Sequence, residues 1–143
     1  MTMETYKESL ISGLRELLQD PKCFLLGEDI CEPYGGAYTI TKGMSTEFPG
    51  KLINTPMSEQ GFTGMGVGMA LAGYKPIIEI MFGDFSTLIM DQILNHASKF
   101  VEGFEKPLHM VVRDPMGGYR GYGATHSQSL EKLYVGLPNI AVI

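Results

Sequence analysis

Glu59 is the first residue whose type and place suggest chemistry. It follows Pro56-Met57-Ser58 and opens a glycine-rich run. A carboxylate in the first turn of a helix is favoured by the helix dipole, so a bland role is available: helix-end electrostatics, with Ser58 as N-cap. The run Gly61-Phe-Thr-Gly64-Met-Gly66-Val-Gly68 invites a dinucleotide-binding reading and does not fit it. Its pattern is GxxGxGxG rather than GxGxxG, and a carboxylate at the helix start would repel phosphate. Each glycine weakens an isolated helix by up to ~1 kcal/mol relative to Ala. Close backbone packing is the natural reason to keep several in one helix.

His126 is the attractive acid/base candidate. It lies in the loop GYGATHSQS, whereas His96 falls inside a predicted helix and His109 at the start of a predicted strand. No nucleophile elbow and no Ser/His/Asp order is visible. Phe85 at the start of a helix reads first as core, and gains chemical meaning only beside Glu59 and a flat heteroaromatic ligand. Cys23 and Cys31 are the cysteines, and they make neither a zinc spacing nor a disulfide framework. They read as two reduced thiols. No metal ligand is expected among these residues.

Composition narrows the classes further. The chain has 143 residues and a formal net charge of −5, with no Lys/Arg run long enough to track phosphates. Nucleic acid is not an expected partner. No apolar run reaches the ~20 residues of a membrane span, and MTMETYKESL has no signal-peptide layout and carries early glutamates. The expectation is a cytoplasmic protein without membrane attachment.

The elements that must position these residues alternate. Residues 3–18 carry Tyr6, Leu10, Leu14 and Leu17 at spacings of four and three, an amphipathic helix stopped by Asp20-Pro21. Cys23–Leu26 is a buried strand opening into Gly27-Glu28-Asp29. Residues 31–44 read as loop with a short helix after it, and Lys51–Asn54 as a second strand. Residues 59–73 form the glycine-rich helix and Pro76–Phe82 a strand. Asp84 to about Val101 reads as one long helix whose Phe85, Leu88, Ile89, Ile93, Ala97 and Phe100 make a broad apolar face, widened by Met90 and Leu94 and covered on two sides. Leu108–Val112 is a strand, 113–128 a Gly/Tyr-rich loop, 129–135 a short helix, and Ile140–Ile143 a last strand. Alternating strands and helices predict an α/β fold: a doubly wound, mainly parallel sheet with helices on both faces. Ligands in such folds sit beyond the C-terminal strand ends, where loops 27–36, 54–60 and 113–128 would meet. The whole of 1–143 reads as a single domain, incomplete at its C-terminal end because the sequence stops inside a predicted strand.

The segments LLGEDICEPYGGAY, INTPMSEQGFTGMGVGMALAGYKPIIEIMFGDFS, MDQILNHASKF and GATHSQSLEKLY follow one another as they do in a known family. From about residue 4 to its end the chain resembles the N-terminal, pyrimidine-binding (transketolase-like) part of the beta subunit of thiamine-diphosphate-dependent 2-oxo acid dehydrogenases, the pyruvate dehydrogenase type. The resemblance implies that Glu59 hydrogen-bonds the ring nitrogen of the cofactor's aminopyrimidine and that Phe85 stacks on that ring. It further implies that Glu28 and Met57 line the pocket and that His126 faces the substrate. A glutamate in mostly apolar surroundings, with Met57, Phe62 and Phe85 supplying them, has a raised pKa and can hold and return a proton.

The family holds the diphosphate and its Mg2+ through a Gly-Asp-Gly…Asn motif on a second polypeptide, the alpha subunit. That motif is absent here, and Gly83-Asp84-Phe85 is not followed by a suitably spaced Asn pair. Family beta subunits are longer and carry a C-terminal domain that builds the dimer. The implied function is therefore a half-site subunit, one that works with an alpha-type partner and in a homo- or hetero-oligomer, possible acyl acceptors including a lipoyl acyltransferase. Two alternatives stand beside it: a transketolase-like or acyloin-forming transferase subunit, and a non-catalytic assembly or regulatory fragment.

Overall fold

The computed structural model describes residues 4–143. The first helix, α1, runs Tyr6–Leu18; residue 3 of the predicted span lies outside the described residues. Thr5 starts it with a reciprocal cap. The Glu8 backbone N–H donates to the Thr5 hydroxyl at 3.2 Å, and the Thr5 N–H donates to the Glu8 carboxylate at 2.8 Å. Strand β1 is Cys23–Gly27, followed by a 3₁₀ turn at Ala37–Thr39 and the one-turn helix α2, Met44–Glu47. Then come β2 (Leu52–Asn54), α3 (Glu59–Leu71), β3 (Lys75–Glu79) and β4 (Val111–Arg113).

The strands lie in the order β2-β1-β3-β4, all parallel. Leu25 sits opposite both Leu52 and Ile77, and Ile77 opposite Val111. Successive residues of a strand face opposite ways, and both sides are covered. Leu25 and Ile77 pack with Leu14, Leu18, Ile30 and Met44 on one face. Leu26, Ile78 and Ile80 pack with Phe62, Ile89 and Ile93 on the other. A parallel sheet buried on both faces is what the near-continuous apolar strands require, and the doubly wound α/β reading is found.

Three predicted elements differ. The long helix from Asp84 is three segments: a 3₁₀ stretch Gly83–Ile89, a π-helical stretch Gln92–Ala97, and α4, Ser98–Gly103. The tight and wide turns keep Ile89, Ile93 and Ala97, spaced by four, buried together. Of the residues expected to widen its apolar face, Met90 is partly buried against the core, while Leu88 of the first face is 52% exposed. The strand expected at Leu108–Val112 begins only at Val111. Ile140–Ile143 forms no strand. Its β-branched residues have no ladder partner, and the residues before them are drawn onto α4 instead. There Ser98 Oγ donates to the Pro138 carbonyl at 2.7 Å and Asn139 Nδ2 donates to the Ser98 carbonyl at 3.0 Å. The helix expected at 129–135 is a 3₁₀ turn, Glu131–Leu133. The following Tyr134 is buried and donates its hydroxyl to the Ser86 carbonyl at 2.5 Å.

The glycine-rich helix is close-packed at two of its glycines. A Cβ on Gly66 would stand 2.5 Å from Ile78 Cδ1, and one on Gly64 3.0 Å from Gln92 Oε1. A Cβ on Gly61 would meet only the nearby Ser58 side chain, and Gly68 has nothing within 4 Å. Close packing therefore explains Gly64 and Gly66 and leaves Gly68 without a contact in this chain. No helix among the described residues is long and apolar enough to cross a membrane.

Candidate functional site

Because all strands run the same way, their C-terminal ends share one edge. β1 delivers Glu28 there, β2 delivers Met57 and Glu59, β3 delivers Phe82 to Phe85, and β4 opens the loop that carries His126.

Glu28 leaves β1 at its tightest point. A Cβ on Gly27 would lie 2.7 Å from the Glu79 carbonyl oxygen and 2.9 Å from Glu79 Cβ, so only glycine lets β1 close on β3 there. The Glu28 carboxyl is pushed above its ordinary value, first by burial, then by the charge of Glu59 and less by Asp29. The Ser58 backbone N–H pulls the other way. One Glu28 oxygen, Oε1, is buried with no hydrogen-bond partner. Glu59 begins α3 and is half-buried. Ser58, expected as its side-chain cap, makes no cap hydrogen bond. Met57 is 87% exposed, so within this chain it does not wall the carboxylates, and Phe62 is buried in the core. The apolar surroundings expected from those two are thus not assembled around Glu59 here.

The second group is aromatic. The His126 ring meets Phe82 at 4.9 Å and Phe85 at 5.3 Å between centroids, both edge-on. Phe82 also touches Phe85 at 6.2 Å, Tyr122 at 5.5 Å and Tyr38 at 6.5 Å. Buried Asp84 fastens the histidine loop to Phe85's segment: Gln128 Nε2 donates to Asp84 Oδ1 at 2.8 Å and the Gln128 N–H to Oδ2 at 3.4 Å. Gly83 donates its N–H to the Pro115 carbonyl at 2.9 Å. Below the edge, Arg113 Nε donates to Glu79 Oε2 at 2.6 Å and Nη2 donates to Oε1, joining β3 to β4 with a buried pair. Burial pushes the Glu79 carboxyl up, and Arg113 opposes it.

The structure thus joins Glu28 to Glu59 and Phe85 to His126. No hydrogen bond or ring contact among the described residues links the two groups; they share the edge. Sequence reasoning missed Phe82, Asp84, Gln128 and the Glu79–Arg113 pair. The last had a visible signal, a charge inside each of the apolar runs PIIEIMF and HMVVR. No cluster of three or more His, Cys, Asp or Glu that could hold a metal occurs among the described residues. A cavity of about 980 Å³ lies elsewhere, between α1, β4 and the last residues, and none of the candidate side chains lines it.

The family described as "Transketolase, pyrimidine binding domain" matches residues 5–143. The chain belongs to that family. Within it, the sequence is similar to that of pyruvate dehydrogenase E1 beta subunits. It is 39% identical over 143 residues to the mitochondrial pyruvate dehydrogenase E1 component subunit beta-1 of Arabidopsis thaliana, covering 97% of this chain and 39% of that protein. The mitochondrial E1 subunit beta of Homo sapiens is 38% identical, with 97% and 40% covered. The pyrimidine-binding domain described here spans about two-fifths of the length of these relatives. A solved structure described as "Split gene transketolase, inactive beta4 tetramer" superposes with a TM-score of 0.64 at 23% identity, over 94% of this chain and 39% of that one, and shares the fold.

The residues fit the aminopyrimidine end of thiamine diphosphate. A flat ring carrying amino and ring-nitrogen groups suits a buried carboxyl oxygen that lacks a partner, a second carboxyl beside it, and aromatic faces on the same edge.

Proposed function

We propose that this pyrimidine-binding domain supplies the pyrimidine-side half of a thiamine-diphosphate site in a 2-oxo acid dehydrogenase. The observation that carries this reading is the Glu28–Glu59 pair with its unpartnered, buried Glu28 oxygen, at the C-terminal edge of a parallel sheet. When bound, the cofactor supplies the electron sink for decarboxylation.

The chain's own residues then have separate tasks. Glu59, at the start of α3, would hold and return a proton at its carboxyl oxygen for the aminopyrimidine ring. Glu28, whose neutral form burial favours, keeps the adjacent position from adding a second full charge. Phe85 orients a flat ring, and Met57 completes the pocket rim. His126, held edge-on by Phe82 and Phe85, stands ready to donate a proton on the substrate side. The diphosphate and Mg2+ fall to an alpha-type partner, and the product acyl group to a carrier such as a lipoyl acyltransferase. Assembly with that partner, in an oligomer, completes the site.

Glu59→Gln tests the reading in the complex assembled with an alpha-type partner. Positioned proton transfer is worth ~10²–10⁴ in rate, so CO2 release from a 2-oxo acid should fall by that range while circular dichroism of the variant is unchanged. Retained turnover would sink the assignment. Product analysis with and without an aldehyde acceptor separates oxidative decarboxylation from acyloin formation. Failure of the partner-bound chain to take up cofactor would instead mark it as an assembly fragment.

A further inference from the structure

We propose that Arg120 receives the carboxylate of the 2-oxo acid substrate, its guanidinium laid on the Tyr38 ring at the rim of the His126 cluster; this rests on the reading above. Asp29 and Glu59 place carboxylates on the edge, so an incoming carboxylate needs a cation to be held there. Arg113 is committed to Glu79, and Lys7 donates to Thr39 Oγ1 at 3.0 Å. Arg120 has no carboxylate partner among the described residues. Its guanidinium carbon stands 4.4 Å from the Tyr38 ring centroid. Tyr38 packs on Phe82, and Phe82 on His126, so one continuous run of rings connects Arg120 to the substrate-side histidine.

The backbone is strained to make this arrangement. Tyr38 and Thr39 both hold left-handed conformations, φ 57° and 58°, and so does Tyr119, φ 67°. Non-glycine residues in sparsely populated regions cost of order 1–3 kcal/mol each and gather at functional sites. Tyr119 is left wholly in water while its neighbour Arg120 turns back onto Tyr38. A stacked guanidinium spends only its face on the ring and keeps its N–H rim free for a bidentate carboxylate.

The contact has a specific kinetic signature. The carboxylate is the group that departs as CO2, so a hold on it stabilises bound substrate more than the transition state. Removing the hold should raise KM and leave kcat no lower. In the partner-assembled complex, Arg120→Gln should raise KM for pyruvate or another accepted 2-oxo acid about ten- to a hundredfold, the range for a hydrogen bond to a charged group. Arg120→Lys should recover part of this, and Tyr38→Leu should shift KM the same way by less. The thiamine diphosphate concentration for half-maximal activity should stay where it is. An unchanged KM in Arg120→Gln overturns the proposal, as does a change that falls on thiamine diphosphate instead, which would give Arg120 to the diphosphate. If the unaltered complex binds cofactor and turns over no 2-oxo acid, the parent reading fails and this one with it.

Discussion

Replacing Arg113 by methionine removes both donors from a carboxylate whose side chain is only 2% exposed. Breaking one side of a buried ion pair costs about 3–5 kcal/mol, against the roughly 5–15 kcal/mol that hold a typical domain. The Arg113 side chain is 16% exposed, so water softens the loss and the lower end, about 3 kcal/mol, is expected. For a chain of this size that lowers Tm by roughly 10 °C. Urea unfolding followed by circular dichroism at pH 7 measures it. The sign with pH is fixed as well. Burial already holds the Glu79 carboxyl above its ordinary 4.5, and losing Arg113 lifts it further. A raised carboxyl pKa means that the folded chain keeps a proton the unfolded chain has released. Stability then falls as pH rises through the ordinary value toward the folded one, so the deficit of Arg113→Met should shrink on acidification. Glu79→Met together with Arg113→Met should recover most of the loss, since a matched apolar pair often replaces a buried ion pair at little cost. A loss under about 1 kcal/mol at pH 7, or a deficit that grows on acidification, would refute the reasoning.

Asp84→Ala should cost about 1–3 kcal/mol by leaving the Gln128 amide unpaired. It should also move the His126 ring-proton resonances toward random-coil positions as the ring leaves Phe82 and Phe85; unmoved resonances would show that Asp84 does not hold the loop. Glu28→Gln should make the fold more stable than the unaltered chain at pH 7, because the amide carries no charge to bury. The difference should narrow on acidification, because the raised pKa lets the folded chain take up the Glu28 proton before the unfolded chain does. Lower stability of Glu28→Gln in urea at pH 7 would contradict the burial argument.

Much of the architecture was legible because it rests on local signals. The stripe of Leu10, Leu14 and Leu17, the stop at Asp20-Pro21 and the apolar runs of β1 and β3 set the helices and strands to within a few residues. The expected meeting of loops 27–36, 54–60 and 113–128 followed from strand direction alone. The broken helix was not legible, since its 3₁₀ and π turns answer to the register of Ile89, Ile93 and Ala97 against the sheet. Ile140–Ile143 carried strand residues without a neighbour to pair with, and composition cannot supply one. At the edge, Glu59, Glu28, Phe85 and His126 could be named, but Asp84–Gln128 and Tyr38–Arg120 join residues far apart in sequence. Left-handed backbone at Tyr38 and Tyr119 has no glycine to announce it.

The Glu79–Arg113 pair and the order of the strands divide the edge into halves of unequal permanence. Glu28 follows β1, which is flanked on both sides, and its partner strands hold it in a ladder that opens only with the whole molecule. His126 depends on β4, three residues at the outside of the sheet, and on the clasp between Asp84 and Gln128. Glu59 follows β2, itself an outer strand, but stands on α3, whose Phe62 is buried in the core; local opening of β4 would carry His126 and Arg120 away while the two glutamates stayed in place. Under the proposed function, the carboxylate side of the edge is a fixed anvil and the histidine side a hinged one, which would let a substrate enter or a product depart without disturbing the carboxylate pair.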